Sequence, residues 1–237
     1  AVQLAATVNM DWLIGKARGK PGGAAIASNG NSGSNSTAGP DESRLYTQTE
    51  YASKQISLSA DLDSLLDQPL LLQQNEWIAT HVTALYENVG TLFEAVFDFC
   101  TCDRFTGPGG VNFGVTEEKA KKARANARNQ IDSALAQCQE LLGQFPTRYG
   151  QAFLHDLHSA SGCVLRHLLH ILAHIYSAHY DAVLRLELVP HLNTVTRHCL
   201  LFNAKFRIVE DRELDHLADL QAALIGGASA AAGGRSL

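Results

Sequence analysis

Apolar residues recur every three or four positions along most of this chain, and that spacing confines it to helices. Between Asn75 and Phe99, the residues Ile78, Val82, Leu85, Tyr86, Val89, Leu92, Phe93 and Val96 fall on one stripe of a 3.6-residue helix. From Cys163 to Leu188, Leu165, Leu168, Leu169, Leu172, Ile175 and Tyr176 predict one continuous helix, ended by Pro190. The stretch "HLNTVTRHCLLFNAKF" carries Leu192, Val195, Cys199, Phe202 and Phe206 at the same spacing. The stretch "DRELDHLADLQAALI" carries Leu214, Leu217, Leu220 and Leu224, and predicts a last helix closed by Gly226 and Gly227. No run of alternating β-branched residues is long enough for a sheet, and "TGPGGVNFGV" (106–115) supports at most a small hairpin. The fold class is all-α.

The stripes also mark where the folded part ends. Residues 21–43, "PGGAAIASNGNSGSNSTAGPDES", offer almost nothing to bury and cannot offset their ordering entropy. We therefore expect a disordered segment over 1–44, one domain over 45–225, and a disordered tail over 226–237. With 46% hydrophobic and 18% charged residues the domain can bury a sizeable core, and a net charge of −5 argues against a nucleic-acid binder. No window approaches the roughly 20 apolar residues of a membrane span. The opening "AVQLAATVNM" lacks the features of a secretory signal, and Met10 is expected to be the start of translation. Asn35, in "NST", is then a chance match to a glycosylation acceptor. Five cysteines, an odd number, suit a reducing cytosol or nucleus better than a disulfide framework.

Metal chemistry is the sharpest local signal. "HLLHILAHIYSAHY" (167–180) places His167, His170, His174 and His179 in an apolar helix. On a straight helix, residues four apart share a face, so spacing alone favours His170 with His174; His174 and His179 stand about 140° apart. Two more ligands would complete a tetrahedral zinc site, and Cys100 and Cys102 of "DFCTCDRF" are the obvious source. Cys138, Cys163 and Cys199 sit within apolar patterns and read as core.

Charge supplies the other signals. Glu76, Glu87, Glu94 and Asp98 lie within about 40° of one line on a helix, either a solvated face or a docking surface for a basic partner. Trp77 would anchor such a partner if exposed. The run "KAKKARANAR", with Lys119, Lys121, Lys122, Arg124 and Arg128, lacks interleaved aromatics and reads as a helix surface rather than a nucleic-acid patch. No phosphate-cradling loop, G-x-S-x-G elbow or H-E-x-x-H motif is present, and no pair of acids has a catalytic spacing.

Six motifs together resemble the Mob/phocein family: "NEWIATH" (75–81), "DFCT" (98–101), "FPTRYG" (145–150), "LAHIYSAHY" (172–180), "HLNT" (191–194) and "DREL" (211–214). The likeness spans about residues 65–225, and "MDWLIGKARGKP" with "VLRHLLHILAHIY" is most similar to the second Mob class. It implies a non-catalytic α-helical domain around a four-helix bundle, a co-activator or adaptor in Hippo/NDR signalling. Its acidic face would receive the basic N-terminal regulatory segment of an NDR/LATS-type AGC kinase. The resemblance implies kinase-facing roles for Glu76 and Trp77, with Glu87, Glu94 and Asp98 continuing the face. It also implies a structural zinc on Cys100, Cys102, His174 and His179, overruling His170.

Two departures bear on those expectations. The family spaces its cysteines C-x-x-x-x-C, whereas "CTC" leaves one residue between them, so the loop must be rebuilt to chelate. The first Mob class binds phosphopeptides through a basic trio; here those positions are Arg166, His167 and His170, of which only Arg166 is permanently charged. Weak or no phosphopeptide binding is expected. Residues 103–144 also lack the family's tryptophan hairpin. That drift leaves open a scaffold that no longer binds kinase. A zinc enzyme is disfavoured, since four protein ligands close the site.

Overall fold

The computed structural model describes residues 42–56, 61–114, 126–153 and 156–226. Met10, Asn35, the Gly/Ser-rich stretch, Lys119, Lys121, Lys122, Arg124 and the tail beyond Gly226 lie outside them. Among the described residues five main helices carry the fold: α1 (Gln74–Val96), α2 (Ala127–Leu142), α3 (Leu157–Ala178), α4 (Tyr180–Arg185) and α5 (Val189–Phe206). The all-α expectation holds, with no strand among the described residues.

Side chains start the helices as elementary capping rules require. Asn126 accepts from the Asn129 amide at 2.9 Å to open α2, and Asp156 accepts from His158 at 3.1 Å to open α3. At α1, the Glu76 carboxylate reaches back to the Gln73 amide at 3.4 Å. α3 is apolar nearly all round, with Val164, Leu165, Leu168, Leu169, Ile171, Leu172 and Ile175 buried. Such a helix belongs at a core centre. Here α1, α2 and α5 all pack on it, giving the four-helix bundle.

Two side-chain clamps explain the "HLNT" motif and the chain's exit from α5. Asn193 donates to the carbonyls of Tyr51 (2.8 Å) and Lys54 (2.9 Å) and accepts from the Tyr176 hydroxyl (2.7 Å). Thr194 accepts from the Ile56 amide, so α5 grips the incoming segment 51–56. Asn203 holds both the amide and the carbonyl of Val209.

Three local expectations, along α3, at Pro190 and in the C-terminal run, are corrected. The helix predicted over 163–188 is broken at His179 (φ −129°, ψ 15°), which separates α3 from α4. Pro190 does not end that helix but sits in the first turn of α5, where its missing N–H is harmless. The last predicted helix is a chain of tight and loose turns: 3₁₀ at Asp211–Glu213 and Asp215–Leu217, α at Ala218–Gln221, and π at Ala222–Gly226. Leu214, Leu217 and Leu220, spaced by three, match a 3₁₀ turn and stay on one buried line. The hairpin reduces to one antiparallel bridge, Thr106 to Asn112, closed by a turn in which Gly109 and Gly110 adopt φ of 72° and 75°. The described residues begin with a 3₁₀ stretch, Glu42–Thr47, in which Arg44 pairs with Asp219.

Candidate metal centre and acidic face

The break at His179 creates the candidate centre. His179 donates its amide to Ile175 as the last residue bonded into α3, then opens α4. This turn brings His179 Nε2 to 3.2 Å from His174 Nε2, a contact that a straight helix would forbid at five-residue spacing. Opposite them, the chain leaves α1 through a 3₁₀ turn at Phe97–Phe99 and delivers Cys100 and Cys102. The Cys102 carbonyl accepts from the Ala127 amide at 3.0 Å, fastening the cysteine loop to the start of α2.

The four donor atoms lie within 4.8 Å of one another. Cys100 Sγ is 3.7 Å from His174 Nε2, and Cys102 Sγ is 3.6 Å from His179 Nε2. Tetrahedral zinc, with bonds of about 2.3 Å to sulfur and 2.05 Å to nitrogen, needs S···N edges of about 3.6 Å and an N···N edge of about 3.3 Å. The residues fit the ion, and the one-residue cysteine spacing does not prevent it. His174 Nδ1 sits 2.7 Å from the Thr106 carbonyl, which orients the ring and leaves Nε2 to ligate. Burial holds His174 below its ordinary pKa, partly offset by that carbonyl, and burial followed by His174 pushes His179 down to about 4. Neutral imidazoles are the form a metal needs. Burial and the neighbouring Cys100 raise the Cys102 thiol.

His170, the partner favoured by simple spacing, is engaged elsewhere. It stacks on Phe113 with centroids 4.1 Å apart and planes 3° from parallel, and burial pushes its pKa down to about 3. Arg166, the one fixed cation of the basic trio, is held by both oxygens of Glu213, through Nε and through Nη2 at 3.2 Å. Burial also lowers His167. The trio is thus one cation already paired and two imidazoles kept neutral. Glu213 and Phe113 were not singled out from sequence, though "DREL" marked the first.

On α1, Glu87 and Glu94 are exposed, and Asp98, also exposed, lies past the helix end. Glu76 and Glu87 join Thr80 and Thr83 along one wall of a cavity of about 480 Å³. Its other wall is the 145–153 segment, including Phe145, Arg148, Tyr149 and Phe153, so "FPTRYG" builds the cavity that sequence reading left without a role. Glu76 is not a free charge: its second oxygen accepts from the Gly150 amide. Trp77 corrects another expectation. It is 2% exposed, and its Nε1 donates to the Leu66 carbonyl at 3.1 Å, so it props the fold from inside and cannot anchor a partner. Arg128 of the basic run lies over the Phe97 ring at 4.1 Å and donates to the Phe97 carbonyl. Cys138 and Cys199 are core, and Cys163 is half-buried.

The family model described as Mob1/phocein matches residues 54–217. A human protein named MOB kinase activator 2 is 30% identical over 232 residues, covering 96% of this chain and 92% of its own length. MOB kinase activator-like 2 of Drosophila melanogaster is 33% identical over 189 residues, 77% of this chain. Its counterpart in Drosophila pseudoobscura pseudoobscura has the same identity over the same length. This chain spans about a third of the length of the two fly proteins, 33% and 34%.

Proposed function

The chain belongs to the Mob1/phocein family, and from that premise we propose that it is a non-catalytic kinase co-activator and adaptor. Its partner in this reading is the basic N-terminal regulatory segment of an NDR/LATS-type protein kinase, in Hippo/NDR signalling. The observation that carries the reading is the cavity on α1, where Glu76 and Glu87 face an aromatic wall. Such a site suits a cationic side chain with an apolar stem, because carboxylates steer and select the charge while the rings cover the methylenes. Arg148, in the same lining, offsets part of the acidity. Glu94 and Asp98 extend the acidic surface beyond the cavity. No described helix is long and apolar enough to cross a membrane, and neither insertion in a membrane nor nucleic-acid binding forms part of the reading.

Zinc has a structural role in this proposal. Cys100, Cys102, His174 and His179 would hold it, and the bound ion would crosslink the end of α1 to the α3–α4 break. Four protein ligands leave no open coordination position for hydrolytic chemistry, which is why the protein is read as an adaptor and not an enzyme. A cytosolic or nuclear site of action suits its free thiols.

The test is calorimetric titration of the full chain with the basic segment of an NDR-type kinase at two salt concentrations. Salt-sensitive binding that Glu87→Lys weakens at least tenfold supports the reading. Glu87 is the better probe than Glu76, whose loss would also free the 145–153 segment. A folded chain with no binding at either salt would leave a scaffold of Mob fold without the kinase partner.

A further inference from the structure

Outside the metal centre, two free cysteines sit on helices that pack together, Cys138 on α2 and Cys163 on α3. Their relative height follows from contacts at the other end of that interface. Ala127, the first residue of α2, donates to the carbonyl of Cys102, whose Sγ is 3.6 Å from His179 at the end of α3. Gln130, one turn further on, covers Gly114, next to the Phe113 ring that stacks on His170. As α2 advances, its neighbours on α3 thus step backwards, and the two helices run antiparallel. From Gln130 to Cys138 is eight residues, about 12 Å along a helix, and from His170 back to Cys163 is seven, about 10.5 Å. The two cysteines therefore stand at matching heights.

Packing brings them close as well as level. The buried line of α2 is Ala127, Ile131, Ala134 and Cys138, and buried Ser161 and Gly162 precede Cys163 on α3. Small residues on both helices let the backbones approach, and a disulfide needs Cα atoms within about 7 Å. Charge agrees with this placement: burial, and then the neighbouring Cys163, pushes the Cys138 thiol up to about 12. Cys138 is wholly buried and stays protonated, whereas half-buried Cys163 is the thiol that an oxidant reaches.

We propose that Cys138 and Cys163 are a peroxide-sensitive dithiol that closes to a disulfide across the α2–α3 interface. Hydrogen peroxide transfers one oxygen to Cys163 Sγ, giving a sulfenic acid and one water. Cys138 Sγ then attacks Cys163 Sγ: the S–S bond forms, the S–OH bond breaks, and the Cys138 proton leaves with the hydroxide as a second water. Two thiols lose two electrons in all, and one peroxide is reduced. The product is uncharged, so a dry interface accepts it where a sulfinate would be costly. The bond fastens the C-terminal end of α2 to α3, at the point where the chain runs on to the 145–153 segment.

Trypsin separates the thiols cleanly. Cleavage after Arg128, Arg148 and Arg166 puts Cys138 in peptide 129–148 and Cys163 in peptide 149–166, apart from Cys100, Cys102 and Cys199. The full chain is treated with hydrogen peroxide, quenched with catalase, blocked with N-ethylmaleimide and mapped without reductant. The expected product joins 129–148 to 149–166, is undone by dithiothreitol and is absent from Cys163→Ser. The oxidised wild type should melt at least about 5 °C higher than the reduced one. In Cys138→Ala, oxidation should stop at a Cys163 sulfenic acid that dimedone traps; if that variant does not fold, the wild-type map decides alone. Recovery of 129–148 unlinked while Cys163 is carried to sulfinic acid would overturn the proposal. So would links that join either cysteine only to Cys100 or Cys102, or a 138–163 link that forms only in urea.

Discussion

His174 Nδ1 lies 2.7 Å from the Thr106 carbonyl oxygen, an acceptor that only an Nδ1–H can satisfy, so Nε2 faces Cys100 and His179 as a bare lone pair. A donor set oriented in this way should take up one zinc ion per chain and release up to two thiol protons in doing so. Replacing His174 or Cys102 by Ala should weaken the metal by more than roughly 100-fold, beyond what orienting partners alone contribute. Metal content after dialysis, proton release in weak buffer and the melting temperature with and without chelator check this. Identical melting in both states would contradict it.

A second relationship sets an acid limit. His81 Nδ1 and His198 Nε2 are 3.2 Å apart in the core, and burial holds their pKa values down to about 3 and about 4, against an ordinary 6.5. Both are neutral when folded, and the unfolded chain takes up protons first as pH drops. Their stabilisation is therefore full above about pH 6.5, falls by up to about 1.4 kcal/mol per pH unit for each group below it, and levels off near pH 3–4. Denaturant melts from pH 7 to 4.5 should show this slope, and a His81→Phe/His198→Leu variant should show a shallower one. Parallel slopes would refute the assignment.

Asn193 supports three groups at once, so Asn193→Ala should cost about 2–4 kcal/mol, leaving the Tyr176 hydroxyl and the Tyr51 and Lys54 carbonyls without their partner. Limited proteolysis should then cut near residues 51–56 before the rest of the domain. Cleavage elsewhere first would argue against the clamp.

Arg207 ends α5 at φ 50°, in the left-handed region that a side chain disfavours, with its amide on the Asn203 carbonyl at 2.8 Å. Arg207→Gly should stabilise the domain by up to about 1 kcal/mol, the relief of strain exceeding the added freedom of the unfolded chain. Chemical denaturation reads the difference directly.

The Arg166–Glu213 pair is about one-third exposed on each side, 37% and 32%. Solvent screens it, and Glu213→Ala should change stability by less than about 1 kcal/mol. With that arginine engaged and His170 neutral, a phosphothreonine peptide should bind the wild type only weakly. Low-micromolar binding measured by calorimetry would contradict this.

What could be read from the residues follows from where period and geometry coincide. The stripes of α1 and α5 were legible because one apolar face repeats at 3.6 residues. Trp77 was misplaced because positions 77, 81, 84 and 88 form a second buried line on α1, disguised by His81 and Asn88. The histidine pair was misassigned from spacing because the rule assumes a straight helix, and the break at His179 depends on packing rather than on a local breaker. Only the family pattern pointed to His179. The 211–226 run misled because leucines three apart satisfy an α-helix for one turn and a 3₁₀ turn indefinitely.

The centre joins Cys100 to His174 and Cys102 to His179 across 74 and 77 positions of the chain. Closing a loop that long in the unfolded ensemble costs on the order of 4 kcal/mol of chain entropy. An ion captured early would therefore meet this cost before the helices dock, and the last turn of α1 would find α3 already tethered. With the ion bound as proposed, metal supply during synthesis would bear on the rate at which the bundle assembles, as well as on its final stability.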